Sequence, residues 1–199
     1  MPRVGLNQQT VVREAARLAD EVGYQQLTLA ALAGRLGVAL PSLYKHVRGA
    51  DALAQKLSAL VTAELATELT TAAAGRAGGD ALRAMADAYR DYAHRHPGRY
   101  PATQQVPDPT DPEHVEAGER AVGAIFAVLR GYGLTDDDLV DAARVVRSAL
   151  HGFVSLEAAG GFGLPREVDR SYHQLVASMD SSLRSWPRAR RATDQPDQP

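Results

Sequence analysis

The sequence predicts an all-α fold, with an N-terminal three-helix unit holding a helix-turn-helix and a larger helical body behind it. Three observations lead there. Apolar residues recur three and four apart over most of the 199 residues. No stretch sustains the two-residue alternation of a half-buried strand. Residues 27–53, LTLAALAGRLGVALPSLYKHVRGADAL, hold two short helical patterns joined by a Gly-Val turn, a spacing that lays the second helix across the first.

Each element has a local reason. Asn7 is placed to cap a first helix over residues 8–22, with Val11, Val12, Ala15, Ala19 and Val22 toward the core. Thr28 caps a second helix carrying Leu29, Leu32 and Leu36 on one side; Gly37 breaks it and Val38 plugs the turn. The third helix, residues 40–46, has Pro41 in its first turn, where a missing N–H costs nothing. A long fourth helix over residues 50–72 carries Leu53, Leu57, Leu60, Val61, Leu65 and Leu69 out of the head and into the body. AAGRAGGD at 73–80 is a small, glycine-rich break. The fifth helix, residues 80–95, repeats Leu82, Met85, Ala86, Tyr89 and Tyr92, and His96-Pro97-Gly98 stops it. One more helical turn fits before residue 105, and the three prolines of VPDPTDPEH mark a loop. Helices over 112–131, 136–159 and 165–186 complete the body, with Asp136, Asp137 and Asp138 favouring a helix start after Thr135. The tail PRARRATDQPDQP lacks apolar periodicity and is expected to be disordered. The domain boundaries so read are 1–52, 53–186 and 187–199.

Composition bounds the function. With no cysteine, disulfides, thiolate metal sites and a thiol nucleophile are excluded. No run of about 18 apolar residues exists to span a membrane, and MPRVGLNQQ lacks the apolar core of a signal peptide. The chain is expected in the cytoplasm, without a membrane partner. A net charge of −2 is unpromising for a nucleic-acid binder, but the charge is split. Residues 1–56 hold seven Lys/Arg against four Asp/Glu, net +3, and the remainder fifteen against twenty, net −5. A basic head on an acidic body suits phosphate binding at one end.

The segment 27–53, with Thr28 opening a helix, Leu36-Gly37-Val38 at the turn and Leu43-Tyr44-Lys45-His46 in the reading helix, resembles the DNA-binding domain of the tetracycline-repressor (TetR) family of bacterial regulators. NQQTVVREAARLADEVGYQQLT resembles that family's first helix, and the likeness covers residues 7–62. It implies a double-stranded DNA operator as partner. The DNA-contacting residues would be Thr28, Leu40, Pro41, Ser42, Tyr44, Lys45, His46 and Arg48. Tyr44 is expected on phosphate, Ser42 and Lys45 on base edges, and His46 as a backbone donor. Leu43 is expected to pack inside the head. The family usually has Lys where this chain has Ala50, so Arg48 is expected to stand in for that phosphate contact; Leu40 is apolar where many relatives present a polar base-reading side chain.

RSALHGFVSLEAAGGFG and LRAMADAYRDYAHRHPGRY are similar to the C-terminal domain of a TetR subgroup marked by Trp-x-x-x-His-Gly, here with Arg147 in the Trp position before His151-Gly152. That resemblance implies a homodimer formed through the last two long helices, and a cavity for a small-molecule effector. Val154, Ala158, Leu175, Met179 and Leu183 are the expected interface stripe, with ordinary monomer core as the alternative. Tyr89, Tyr92, Phe126, His151, Phe153, Phe162 and Tyr172 are the candidate effector contacts, implying a largely apolar or aromatic ligand. The function so read is a ligand-responsive DNA-binding regulator, in most members a repressor, with no cofactor. Two other classes compete. A helical RNA- or partner-binding protein with a degenerate head is opposed by the intact LY-x-H core. An all-α enzyme would have to use Ser148, Ser155, His151 and Glu157, whose spacing on one helix matches no catalytic template. GGFG at 160–163 lacks the Lys-Ser/Thr of a phosphate loop. His94 and His96 lie on different helix sides, so no metal site is expected.

Overall fold

A computed structural model describes residues 6–187. Helix α1 (Gln8–Val22) leads through a 3-10 turn (Tyr24–Gln26) to α2 (Leu29–Leu36) and the one-turn α3 (Leu40–Leu43). Then follow α4 (Ala50–Ala73), α5 (Gly78–Arg95), a second 3-10 turn (Tyr100–Gln104), α6 (Pro112–Arg130), α7 (Asp136–Ala158) and α8 (Val168–Arg184). No strand occurs among the described residues. The all-α class is thus that of the molecule.

Capping explains where the head's helices start and stop. Asn7 accepts from the Thr10 N–H and Thr28 Oγ1 from the Ala31 N–H at 3.1 Å, each answering one of the unpaired first-turn donors. Gly37 ends α2 in the left-handed conformation (φ 66°), which a side chain would strain, and the next amide, Val38 N–H, reaches back to the Ala33 carbonyl.

Two apolar cores form, and α4 belongs to both. Leu53, Leu57 and Val61 join Val11, Val12, Ala15, Leu32, Leu43 and Val47 in the head. Leu65 and Leu69 enter the body core with Leu82, Met85, Tyr89, Leu129 and Val146. Inside the body α4 packs on α5 and α6, and α5 packs on α7 and α8. One helix is therefore shared by the two cores and joins head to body.

Several expectations need correction. Val22, the last residue of α1, is exposed rather than in the core. The reading helix stops at Leu43 rather than His46: the His46 N–H bonds Leu43 O at i−3, tightening residues 44–46 into turns. Helix α8 begins at Val168, three residues late, after a tight turn in which the Arg166 N–H reaches Leu164 O. Val154, Met179 and Leu183, expected at a subunit interface, are buried in the monomer's own core, Leu175 packs against them, and Ala158 is exposed. That face of α7 and α8 is consumed by α5. The tail from residue 188 onward lies outside the described residues.

Candidate nucleic-acid interface and effector cleft

The reading element is α3 with the turns that follow it. Leu43 and Val47 are buried and anchor it to the head core, so the residues between and beside them face out. Tyr44 is half exposed, and Lys45, Arg48, Pro41 and Thr28 are exposed; Ser42, His46 and the apolar Leu40 are partly covered. Leu40 packs against the head core, leaving only part of it for a base edge. Gln8 Nε2 donates to His46 O at 3.3 Å, pinning the turns to the start of α1. Tyr44, Lys45, His46 and Arg48 line one shallow concavity. Ala50 is exposed in the first turn of α4.

The structure sorts the head's cations, which net charge cannot do. Arg35 is held by both Glu14 and Glu21, clamping α2 on α1, and Arg17 shares Glu14. The Arg35 guanidinium holds the Glu14 carboxyl below the usual carboxylate range. Lys56 lies 3.0 Å from both Asp111 and Glu113, across to the body. Lys45 and Arg48 have no hydrogen-bond or ion-pair partner among the described residues, and neither has the Tyr44 hydroxyl. Those three groups are free to meet an external polyanion.

A cleft of about 740 Å³ opens in the body between α4, α5, α6 and the 105–107 segment. Leu65, Leu69, Ile125 and Phe126 give it apolar walls; Thr103, Gln105, His114 and Arg147 supply polarity. Of the seven sequence candidates, only Tyr89 and Phe126 line it. His151 sits two hydrogen bonds behind: Tyr89 OH meets Tyr100 OH at 2.8 Å, and Tyr100 OH meets His151 Nδ1 at 2.8 Å. Burial, and then the Arg147 charge, push the His151 pKa down, while burial raises both tyrosines. Tyr92 points elsewhere, its hydroxyl 3.0 Å from Glu64 Oε2. Phe153, Phe162 and Tyr172 form a separate aromatic cluster, with ring centroids 4.8 and 5.1 Å apart and Arg90 4.6 Å over Tyr172. Tyr92, Phe153 and Tyr172 serve the body core, while Phe162, in the loop after α7, is exposed.

Sequence reading missed Gln105 and His114. His114 had a signal: it shares the inner face of α6 with Ala117, Ala124, Ile125 and Val128, a single histidine on a buried stripe. Gln105 had none, because its place comes from the chain turning back at His96-Pro97-Gly98.

Head and body are tied at several points beside the cleft. Arg99 bonds Asp20 on α1 and Glu64 on α4, and His96 Nδ1 lies 3.2 Å from Asp20. Ala102, from the second 3-10 turn, is fully buried in the head core. The two histidines of the 94–96 pair thus diverge, His94 going to Glu157 and His96 to Asp20. Ser155 Oγ lies 3.4 Å from His151 Nδ1, but Glu157 is engaged by Arg90 and His94, so the α7 residues do not form a nucleophile–base–carboxylate chain. No helix among the described residues is long and apolar enough to cross a membrane.

Comparison with known proteins agrees with this arrangement. Residues 11–57 match the family described as "Bacterial regulatory proteins, tetR family", and residues 82–179 match "Tetracyclin repressor-like, C-terminal domain". The chain is 42% identical over 156 residues to an uncharacterized HTH-type transcriptional regulator, Rv0681, of Mycobacterium tuberculosis, covering 78% of this chain and 72% of that protein. It is 31% identical to the uncharacterized HTH-type transcriptional regulator YobS of Bacillus subtilis, over 93% of each chain. Its fold is that of a TetR protein from Acinetobacter baumannii solved in complex with minocycline, with a TM-score of 0.72 and 22% identity over 93% of this chain and 100% of that one. A helix-turn-helix head with free cations, a helical body with an apolar cleft and matches over both halves give one conclusion: the chain belongs to the TetR family of DNA-binding transcriptional regulators.

Proposed function

We propose that the protein is a homodimeric repressor that leaves a pseudo-palindromic operator when a small molecule enters the body cleft. The observation that carries the DNA half is the free trio of Tyr44, Lys45 and Arg48 on a turn anchored by Leu43 and Val47, while Arg17, Arg35 and Lys56 are paired within the protein. Two such elements would enter successive major grooves about 34–36 Å apart. Thr28, Ser42 and His46 complete the contact, with Leu40 and Pro41 against the groove wall and Arg48 in place of the lysine absent at Ala50.

The effector half rests on the cleft's size and apolar walls. An effector acts if it binds better to the body shape that holds the heads at the wrong separation. The second subunit is assigned to the outward stripe of α7, where Val145 and Leu156 are exposed eleven residues apart with Gly152 between them. The protein would act in the cytoplasm, by binding and not by chemistry.

Genomic footprinting with the purified chain tests the reading. A discrete two-fold symmetric site, lost at raised salt, is the expected result; uniform binding to all DNA, or none, would refute it.

A further inference from the structure

Two side chains on the cleft wall each keep one polar atom unbonded. Gln105 Oε1 and His114 Nδ1 are buried without a hydrogen-bond partner among the described residues, and both residues line the cleft. His114 is only 1% exposed. A folded chain normally pairs such groups, so two orphans in one cleft call for a ligand. The remaining atoms of both side chains are bonded in the opposite direction. Gln105 Nε2 donates to the Tyr24 hydroxyl, in the turn that ends α1. His114 Nε2 meets Ser58 Oγ at 2.8 Å, on the stretch of α4 that joins head to body.

We infer that the effector is a largely apolar ring molecule bearing a hydroxyl, that this hydroxyl bonds Gln105 Oε1 and His114 Nδ1, and that these two side chains relay occupancy of the cleft to the head. The inference rests on the cleft being the effector site. A hydroxyl is the group that fits because it both donates and accepts. The hydroxyl's one proton goes to the Gln105 carbonyl oxygen, and its oxygen accepts from His114 Nδ1–H, in the tautomer whose Nε2 accepts from the Ser58 hydroxyl. A carboxylate has no proton for Gln105, and an ammonium has no lone pair for His114. Leu65, Leu69, Ile125 and Phe126 in the same cleft disfavour either charge. Pulling on Gln105 and His114 alters their grip on Tyr24 and Ser58, both outside the cleft and both within or next to the head.

Matched pairs of bicyclic and tricyclic phenols and their O-methyl ethers, bound to the full chain and followed by ligand-observed NMR, test this. The methyl ether keeps the rings and removes the proton. The phenol of the best pair should bind about tenfold tighter or more in the native protein, since a buried acceptor left unpaired is costly. Gln105→Met and His114→Phe should bring the members of that pair to within about threefold, with Gln105→Met the safer fold because Gln105 is only partly buried. At saturation the phenol should change hydrogen exchange of amides 24–27 and 57–61 in the native protein, and not in Gln105→Met. Equal binding of both members in the native protein would overturn the inference while leaving the cleft a ligand site. No binding by any pair would overturn both readings. A phenol preference with unchanged exchange in the head would overturn the relay.

Discussion

Arg99 Nε lies 2.7 Å from Asp20 Oδ2, and the Arg99 backbone N–H donates to the other oxygen of the same carboxylate at 2.9 Å. The end of α1, in the head, is thereby clamped to the segment that runs from α5 toward the cleft. Glu64 on α4 takes the other arm of the same guanidinium at 3.1 Å. One arginine therefore sees the head, the connecting helix and the body at once. Arg99 thus joins α1 directly to the segment whose end, at Thr103 to Gln105, lines the cleft.

Removing that carboxylate should cost stability. Asp20→Ala leaves a largely covered guanidinium with one partner and a backbone N–H with none, a loss of about 1–3 kcal/mol. Urea unfolding measures it, beside Asp137→Ala, an exposed residue whose loss should stay within about 0.5 kcal/mol. Equal effects in the two variants would mean that the clamp is not a stabilising contact.

The same junction leaves no room at Gly98. A β-carbon there would sit 1.8 Å from the Ala19 carbonyl oxygen, a backbone atom that cannot step aside. Gly98→Ala should force the α1 end away from the body, at about 2–3 kcal/mol. Thermal unfolding should drop by several degrees; an unchanged midpoint would show that the two segments separate freely.

On the reading turns, Tyr44→Ala with Lys45→Ala should abolish specific operator binding while leaving the helical circular-dichroism signal intact, because neither side chain supports the core. Lys45→Ala alone should cost about 1–3 kcal/mol of base discrimination if it reads a guanine edge. Leu43→Ala, by contrast, should loosen the head, at about 2–5 kcal/mol for a fully buried leucine. Normal operator affinity in the double variant would move the interface elsewhere.

Dimerisation is tested at an exposed position. Val145→Glu should give folded monomers with weakened operator binding, since one head supplies half the contacts. Met179→Glu should instead unfold the body, because Met179 is core and its charge would be buried unpaired. Sedimentation beside circular dichroism separates the two; a dimeric Val145→Glu protein would take that stripe out of the interface.

Stability should also fall in mild acid. Burial lowers the His114 pKa from its usual 6.5, with Asp111 and Asp108 opposing and Lys56 adding to the shift. The unfolded imidazole takes a proton near its ordinary value and the folded one does not. The unfolded state thus binds more protons below about 6.5, and stability present above that value is lost as pH falls. His151, also lowered by burial, acts in the same sense. Urea unfolding at pH 7.5 and 5.5 should show the loss, and His114→Phe should reduce it, each histidine contributing at most about 1.4 kcal/mol per pH unit. A pH-independent stability would mean that His114 takes its proton as readily in the fold as in the unfolded chain.

Much of the fold was legible because its causes are local. Asn7, Thr28 and Gly37 mark helix ends through bonds to residues three or four away, so α1 and α2 begin and end where capping places them, and the periodicity of Leu53 to Leu69 shows α4 as a single rod. The reading turns were legible for the same reason, as a short motif within one stretch of chain. The remainder was decided by tertiary structure. Periodicity shows that Met179, Tyr92 and Tyr172 are buried, but not against what: α5 took the face of α8 that a partner subunit was expected to take, and Tyr92 turned to Glu64. Charge counting shows a basic head, but only the packing of α1, α2 and α6 neutralises Arg35 and Lys56 and leaves Lys45 and Arg48 free. The cleft belongs wholly to this level. Gln105 and His114 come from a loop and a helix whose positions depend on the chain folding back after Gly98, and no local rule specifies which unpaired atoms such a fold brings together.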